Sequence, residues 1–260
     1  MTRLVSGVVL AAAALAAILF LPAAALRYIV VAIALLTASE YLAIARRTDT
    51  SPTPWIVFAL VAVACWWISF SDARPSAMYP VLILALGLLV VDVLFLGKSL
   101  PDTAVALIAP LYIGLPLGML VAIHALGGRE AVLILIATIV VSDSSQYYTG
   151  RLFGRHALAP TVSPKKTIEG AVGGLVIGTA FLVTAGRLVF PMARPATLLL
   201  MGACVVVLGI TGDLFESKLK RVAGVKDSST LIPGHGGVLD RIDALLLATP
   251  AFYLFLHELM

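Results

Sequence analysis

Charge is what this sequence has least of. Of its 260 residues only 12% are Asp, Glu, Lys or Arg, where a soluble globular domain carries about 25%. The chain is 61% apolar, with a mean hydropathy of +1.06. That much apolar surface cannot be hidden in one soluble core, so the bilayer must be the solvent for most of the chain. Cysteine is equally sparse. Cys65 and Cys204 stand alone inside apolar runs, which excludes a disulfide framework and a Cys-rich zinc site. The chain also lacks a low-complexity linker and the inverted repeat that marks many secondary transporters.

What is present is a succession of apolar segments. Nine can be drawn, near residues 4–24, 27–45, 55–70, 79–97, 103–126, 130–148, 170–190, 197–215 and 241–259. Each must be helical, because lipid offers open backbone groups no partner and a helix satisfies its own. A span needs about 20 residues. The third segment is short and the first two are barely separated, so eight and ten spans stay open beside nine. The start, Met1-Thr-Arg3 and then an apolar run to Ala23–Ala25, resembles a signal peptide in composition. Its apolar core exceeds the usual h-region of about 7–15 residues and another apolar run follows at once, so a retained first span is expected.

Basic residues set the orientation. Thirteen of the 18 Lys and Arg fall in alternate loops: Arg3; Arg46 and Arg47; Lys98; Arg151, Arg155, Lys165 and Lys166; and Lys218, Lys220, Arg221, Lys226 and Arg241. The other side keeps Arg27, Arg74, Arg129, Arg187 and Arg194. The excess marks the cytoplasmic face, which puts the amino terminus inside and the carboxyl terminus outside for nine spans. Loops of this kind account for the net charge of +4 and the pI near 9.2 through orientation and anionic ligands, and no nucleic-acid partner is expected.

The residues able to do chemistry gather in two polar connections on that inner side. The first runs from Asp143 through Gly150-Arg151 and Gly154-Arg155 to Ser163-Pro-Lys-Lys-Thr167-Ile-Glu169-Gly170. The second runs from Gly212-Asp213 through Glu216, Ser217-Lys-Leu-Lys220-Arg221 and Lys226-Asp227 to Pro233-Gly-His235-Gly236-Gly237 and Asp240-Arg241-Ile-Asp243. Asp213 and Glu216 are three apart and share a helix face, as do Asp240 and Asp243. The helices that carry them are consecutive and antiparallel, so the four carboxylates can meet near the membrane surface. There they need a positive partner. Hard oxygen donors of this type suit Mg²⁺, which takes a few carboxylates and the phosphates of its substrate. Ion pairs with Arg221, Lys226 and Arg241 are the alternative for the same four acids. Lys165, Lys166, Lys220, Arg221, Lys226 and Arg241 supply donors for phosphate. Gly234, Gly236 and Gly237 around His235 let backbone approach a phosphate closely, though His235 equally suits a plain turn. Ser163 and Thr167 precede the seventh span, whose amino-terminal dipole favours an anion. Acids for a cation and bases for a polyphosphate on one face suggest metal-assisted phosphoryl or nucleotidyl transfer.

Glu40, in the second span, and Asp92, in the fourth, read as structural hydrogen-bonding groups. Asp143 can reach the same polar region as the four acids. Gly170, Gly174 and Gly178 share one face of the seventh span and predict close packing inside the bundle, in preference to a dimer seam.

Over residues 217–243 the second connection resembles the carboxyl-terminal signature of the phosphatidate cytidylyltransferases. The first connection is similar to the same family's Asp-Ser…Tyr…Gly-Arg…Gly-Arg…Ser-Pro-x-Lys-Thr-x-Glu-Gly stretch, from which Gln146 departs where a small residue is expected. The likeness covers residues 143–243, whereas residues 1–125 match mainly in being apolar. The resemblance implies an all-α polytopic membrane protein, here of about nine transmembrane helices, with a polar cavity facing the cytoplasm. An N-terminal transmembrane region (1–125) would precede a catalytic transmembrane region with cytoplasmic loops (126–260). It further implies a homodimer in the inner (plasma) membrane that uses CTP, phosphatidate and Mg²⁺, with the number of cations left open. Asp213 and Asp240 would chiefly hold the metal, with Asp243 beside them, and Lys226 and Arg241 would join the two aspartates in catalysis. Asp143, Ser163, Lys166, Thr167, Lys220, Arg221, His235, Gly236 and Gly237 would bind substrate.

The expected reaction is attack by the phosphate of phosphatidate on the α-phosphorus of CTP, with pyrophosphate leaving and CDP-diacylglycerol formed. Other readings kept open are a prenol-lipid kinase, an archaeol-type cytidylyltransferase and, in a different class, a cation transporter using the same carboxylates. Transport sites sit at the midplane beside broken helices; these acids stand at helix ends beside basic loops.

Overall fold

The computed structural model describes residues 2–70 and 79–259; Arg74, counted above, lies outside the described residues. Among the described residues the chain is almost wholly helical. In order come α1 (Thr2–Phe20), α2 (Ala23–Ala45), α3 (Pro54–Ile68), α4 (Tyr79–Val90) with a π turn at Val91–Phe95, and α5 (Leu100–Ala109). A second π turn at Pro110–Gly114 leads into α6 (Leu115–Phe153). A two-stranded hairpin, β1 (Ala157–Ala159) and β2 (Ser163–Thr167), precedes α7 (Ile168–Val189), α8 (Pro195–Val222) and α9 (Leu239–Leu259).

Among the described residues five helical stretches are long and apolar enough to cross a membrane: Ala23–Ala45, Leu100–Phe153, Ile168–Val189, Pro195–Val222 and Leu239–Leu259. Three shorter apolar helices, Ser6–Phe20, Pro54–Ile68 and Val81–Phe95, accompany them. The all-α membrane class read from the sequence is thereby met. Leu100–Phe153 holds 54 residues, about 80 Å of straight helix against a hydrocarbon core of about 30 Å. It is interrupted at Gly128, whose φ of 73° and ψ of −179° belong to a region that glycine alone adopts readily.

Local sequence explains the other ends. Pro54 opens α3 in the first turn, where its missing N–H costs nothing. Ser99 and Asp102 form a capping box at the start of α5. Thr167 caps α7 by accepting from the Gly170 amide. Asp92 lies in the first π turn and is buried, but Thr53 Oγ1 (2.6 Å) and Thr103 Oγ1 (3.0 Å) both donate to it. Its structural reading fits that surrounding.

Contacts divide the chain into two compact units, one of residues 1–125 and 219–242, the other of residues 126–218 and 243–260. In the first, α3 meets the run 110–118 backbone to backbone: a Cβ on Gly118 would stand 2.5 Å from the Cys65 carbonyl oxygen, and one on Gly114 2.9 Å from that of Val61. In the second, the glycine face of α7 fulfils its expected packing role. Gly170 rests on the Gln146 carbonyl and Gly150, Gly174 on Gln146 and Ser142, and Gly178 on Ser142 and Val206. Residues 142–150 of α6 thus lie along α7, and Val206 brings α8 against the same face. Gly212 of α8 presses on the backbone of Asp243 and Ala244 in α9, and a Cβ there would stand 2.5 Å from the Asp243 carbonyl oxygen. The outward face of α7 carries Val172, Val176 and Ile177, all exposed, as a surface solvated by hydrocarbon would be.

The polar connections are more ordered than expected. α6 runs on to Phe153 and α8 to Val222, past the expected ends near residues 148 and 215; neither stretch contains the proline that would stop a helix. In the second connection, irregular backbone is thereby confined to residues 223–238. Gly174→Val should lower the thermal midpoint of the detergent-solubilised protein, since the added carbons meet Gln146 and Ser142 and overpacking costs about 1–3 kcal/mol. Gly87→Ala, with open space around its Cβ position, should leave that midpoint unchanged or raised.

Candidate active site

The irregular run 223–238 is folded around two carboxylates of the first unit. Asp240 stands in the first turn of α9 and turns its side chain back toward the loop. Its Oδ2 accepts from the Ser228 amide (2.9 Å), the Ser228 hydroxyl (2.8 Å) and the Gly237 amide (2.7 Å), and its Oδ1 accepts from Lys220 Nζ at 2.5 Å. The Lys220 and Asp240 side chains are only 12% and 5% exposed. An ion pair withdrawn from water this far is held by geometry and by the extra donors that satisfy the carboxylate.

Glycine is required twice in this loop. Gly236 has φ 78°, and a Cβ there would stand 2.5 Å from Asp240 Oδ2. A Cβ on Gly237 would overlap the Ser228 hydroxyl and both oxygens of Glu40. The close approach these glycines allow is to the protein's own carboxylates, Asp240 and Glu40. His235 precedes them: its Nδ1 is 2.9 Å from the Ser6 hydroxyl, and its carbonyl accepts from Arg241 Nε at 2.9 Å. Arg241 therefore braces the loop. Arg221 donates to the Val225 carbonyl at 3.4 Å, and Lys226 is exposed.

The second unit gathers another set. Lys166, at the end of β2, donates to Asp213 Oδ2 at 2.5 Å, and Ser217, one turn on, donates to Asp213 Oδ1 at 3.3 Å. Asp143 interacts electrostatically with both Asp213 and Lys166, and Gln146 Nε2 donates to its Oδ1 at 2.9 Å. That bond gives Gln146 a role. Asp143 also lines a shallow cleft with Ile139, Ser142, Val205, Val206 and Gly209. Lys166 and Asp213 are 22% and 30% exposed, so water and small ligands reach this pair.

The hairpin holds Lys166 in place. Ser163 pairs with Ala159 and Thr167 with Ala157. Glu169 accepts from the Arg155 amide at 3.0 Å, the His156 amide at 3.3 Å and His156 Nδ1 at 2.6 Å, closing the hairpin onto the start of α7. Gly150 and Gly154 leave room for Thr167, which a Cβ on either would strike. Asp243 lies where α9 crosses Gly212, directly before Asp213 in the chain, and its Oδ1 accepts from the Ala244 amide.

Sequence reasoning missed Ser228, Ser229 and the reach of Glu40. Ser228 and Ser229 stand inside the signature's gap, and only a three-dimensional arrangement reveals what they hold. Glu40 did carry a signal, since an acid in a span is a functional candidate by default. Its carboxylate accepts from Ser228, Ser229, Val238 and Leu239, which agrees with the hydrogen-bonding role expected for it.

The donor set bears on the metal. Among the described residues no three His, Cys, Asp or Glu side chains form a cage for an ion. Asp213 is partly exposed and its Ser217 contact is long, so it fits a Mg²⁺ that keeps waters and substrate phosphates in its shell. Asp240 has four protein donors on its two oxygens, and a cation would have to replace Lys220 there.

The family model of the cytidylyltransferases matches residues 1–259 of this chain. The phosphatidate cytidylyltransferase of Haemophilus influenzae is 45% identical over 118 residues, covering 44% of this chain and 41% of that protein. That of Bacillus subtilis is 40% identical over 152 residues (57% and 56%), and that of Pseudomonas aeruginosa 45% identical over 123 residues (46% and 45%). The chain thus spans about half the length of the curated relatives it matches.

The two lysine–aspartate pairs differ in exposure, and their energetics should follow. Lys220→Met strands a buried carboxylate and should cost about 3–5 kcal/mol. Lys166→Met leaves Asp213 in contact with water and should cost about 1 kcal/mol or less. Thermal unfolding of both variants in one detergent measures the difference.

Proposed function

We propose that this chain, which belongs to the cytidylyltransferase family, transfers the CMP unit of CTP to phosphatidate, giving CDP-diacylglycerol and pyrophosphate. One contact carries the reading: Lys166 and Asp213, drawn from the two polar segments and 47 residues apart, meet at 2.5 Å. A phosphate-binding cation and a metal-binding anion thereby share one location at the end of an apolar helix.

The reaction joins a phosphate oxygen of phosphatidate to the α-phosphorus of CTP and breaks the bond from that phosphorus to the bridging oxygen of the β-phosphate. The bonding electrons leave with pyrophosphate. Because the nucleophile is already an anion, the chain needs no strong base; it must position two anions and neutralise their charge. Lys166 is the donor we assign to the phosphates, moving from Asp213 Oδ2 to a phosphoryl oxygen. Ser163 and Thr167 flank it on the hairpin, and the amino-terminal end of α7 adds its dipole. Arg221 at the end of α8, and Lys226, His235, Gly236 and Gly237 from the loop 223–238, are proposed to meet substrate, and Asp143 to complete the polar edge of α6.

Asp213 is the proposed metal carboxylate, supported by its exposure and spare accepting capacity; the signature's spacing supports Asp240 and Asp243 as its companions. Bound Mg²⁺ would supply charge neutralisation at the α-phosphoryl oxygens and the leaving group. The acyl chains would stay in lipid while the headgroup meets the nucleotide. A homodimer is proposed from the resemblance.

We also propose nine spans, with the amino terminus and the hairpin on the cytoplasmic side of the inner membrane. The apolar helical segments and the interruption at Gly128 support the count, and the Lys/Arg bias supports the orientation. With Cys65 and Cys204 replaced by Ala, Thr161→Cys should react with an impermeant maleimide only from the cytoplasmic side, and Glu130→Cys only from the other. Labelling of both from one side would overturn the arrangement.

Purified protein in detergent, given CTP, Mg²⁺ and phosphatidate, should release one pyrophosphate per CDP-diacylglycerol formed. Chelation of Mg²⁺ should stop turnover, and Asp213→Asn should lower it by about 100-fold or more with the thermal midpoint preserved. Near-normal turnover in Asp213→Asn would remove the metal assignment. CDP release with a phosphorylated prenol would make the protein a kinase instead.

A further inference from the structure

Glu40 is an anion inside the first unit whose solvent is protein. It lies deep in α2, 5% exposed. Its Oε1 accepts from the Ser229 hydroxyl at 2.7 Å and the Val238 amide at 3.0 Å. Its Oε2 accepts from the Ser228 hydroxyl at 3.1 Å and the Leu239 amide at 2.7 Å. Three of these donors are Glu40's alone, and the fourth, the Ser228 hydroxyl with its single proton, is shared with Asp240. Every donor comes from residues 228–239, between 188 and 199 positions further along the chain.

The placement of these donors matters more than their number. Val238 and Leu239 provide amides at the start of α9, which have no partner within the helix, and an anion there also meets the positive end of the helix dipole. Asp240 is the next residue. Ser228 ties the two acids together, since its single hydroxyl proton lies within reach of Glu40 Oε2 (3.1 Å) and Asp240 Oδ2 (2.8 Å). Gly237, whose amide donates to Asp240, has its Cα packed against both Glu40 oxygens. Glu40 therefore fixes the beginning of α9, the turn 236–237 and the serine on which the orientation of Asp240 depends.

We propose that Glu40, a residue of the second helix outside both signature segments, is a positioning residue for nucleotidyl transfer. It pins the loop 228–239 and the start of α9 so that Asp240 keeps the orientation in which Lys220, Ser228 and Gly237 hold it. This rests on the cytidylyltransfer reading. The geometry also says which replacements fail. Gln has nearly the same shape, but in either orientation its –NH₂ faces one backbone amide and one serine hydroxyl, so donor meets donor. Asp keeps the charge but retracts it by one methylene.

The test measures the tether and the chemistry separately, on the full chain in detergent. Hydrogen–deuterium exchange reports the amides of residues 228–240, and steady-state kinetics with CTP, Mg²⁺ and phosphatidate report kcat and KM. In Glu40→Gln we expect exchange at Val238 and Leu239 to rise by at least about tenfold, with exchange in residues 168–189 unchanged. We expect kcat to fall about 100-fold, the scale of a catalytic group displaced by about an ångström, while the KM for CTP changes less than about threefold. Glu40→Asp should recover part of kcat. Ser229→Ala, which removes one donor and preserves the carboxylate, should show a smaller change of the same kind and serves if Glu40→Gln does not fold. Unchanged exchange at Val238 and Leu239 in both variants would overturn the proposal, as would raised exchange with kcat within about threefold of the unsubstituted chain. Loss of exchange protection spread evenly through the protein would reduce Glu40 to a general stabiliser and would also overturn it. Raised local exchange in a protein that makes no CDP-diacylglycerol would leave the tether standing and remove the function assigned above.

Discussion

A carboxylate taken out of water must be given its donors by the protein, and in this chain that demand shapes the polar half of the fold. An unpartnered buried carboxylate would cost several kcal/mol or would pick up a proton. Asp240 and Glu40 escape by drawing seven donor groups around them, six from the loop 228–239 and one from Lys220. Ser228 gives its hydroxyl to both, which is why eight contacts come from seven groups. The loop has little regular structure of its own, beyond one bridge between Ile232 and Gly236. Its conformation is set by what it must deliver to the two anions.

The apolar half obeys the complementary demand. Lipid cannot satisfy backbone, so the chain goes helical wherever it is apolar, and helices approach closely only where side chains are small. Gly114 and Gly118 allow this against α3, and Gly170, Gly174 and Gly178 allow it along α6. The same device positions chemistry. Gly170 and Gly150 bring the start of α7 onto the end of α6, while Gly150 and Gly154 leave room for Thr167, the residue after Lys166. A strand only five residues long can hold a lysine against Asp213 because its neighbours are clamped on both sides.

The apolar helices were legible in the sequence because lipid imposes length and composition on every span, and those survive in one dimension. The packing role of the α7 glycines was legible for the same reason: a four-residue spacing marks one helix face whatever lies opposite. The polar segments were legible as chemistry but not as shape. The sixth and eighth helices were expected to end near residues 148 and 215, where the apolar runs give out, yet polarity reports contact with water and not loss of helix; α6 continues to Phe153 and α8 to Val222. Gln146 looked like a departure from pattern, and only its contact with Asp143 shows what it does. Glu40 was read as a hydrogen-bonding residue from the cost of burying an acid, but its partners lie almost two hundred residues away, and no spacing rule connects positions so far apart.

The exposures of Asp213 and Asp240 make them unequal. Each accepts from a lysine at 2.5 Å, and from sequence the two were interchangeable. Asp240, at 5% exposed, holds three further hydrogen bonds that would have to be rearranged or shared before it could turn to a new partner. Asp213, at 30%, holds one long one. A cation or phosphate, as proposed for this pair, would exchange with Lys166–Asp213 at small cost, because partly exposed groups lose little on separation. The same exchange at Lys220–Asp240 would expose a dry lysine and a dry carboxylate to each other's absence, which is the expensive way to break an ion pair. Of the two pairs, Lys166–Asp213 is thus the one that can exchange partners, while Lys220–Asp240 holds its own loop in a single shape and would have to be rearranged before Asp240 could join the proposed metal site.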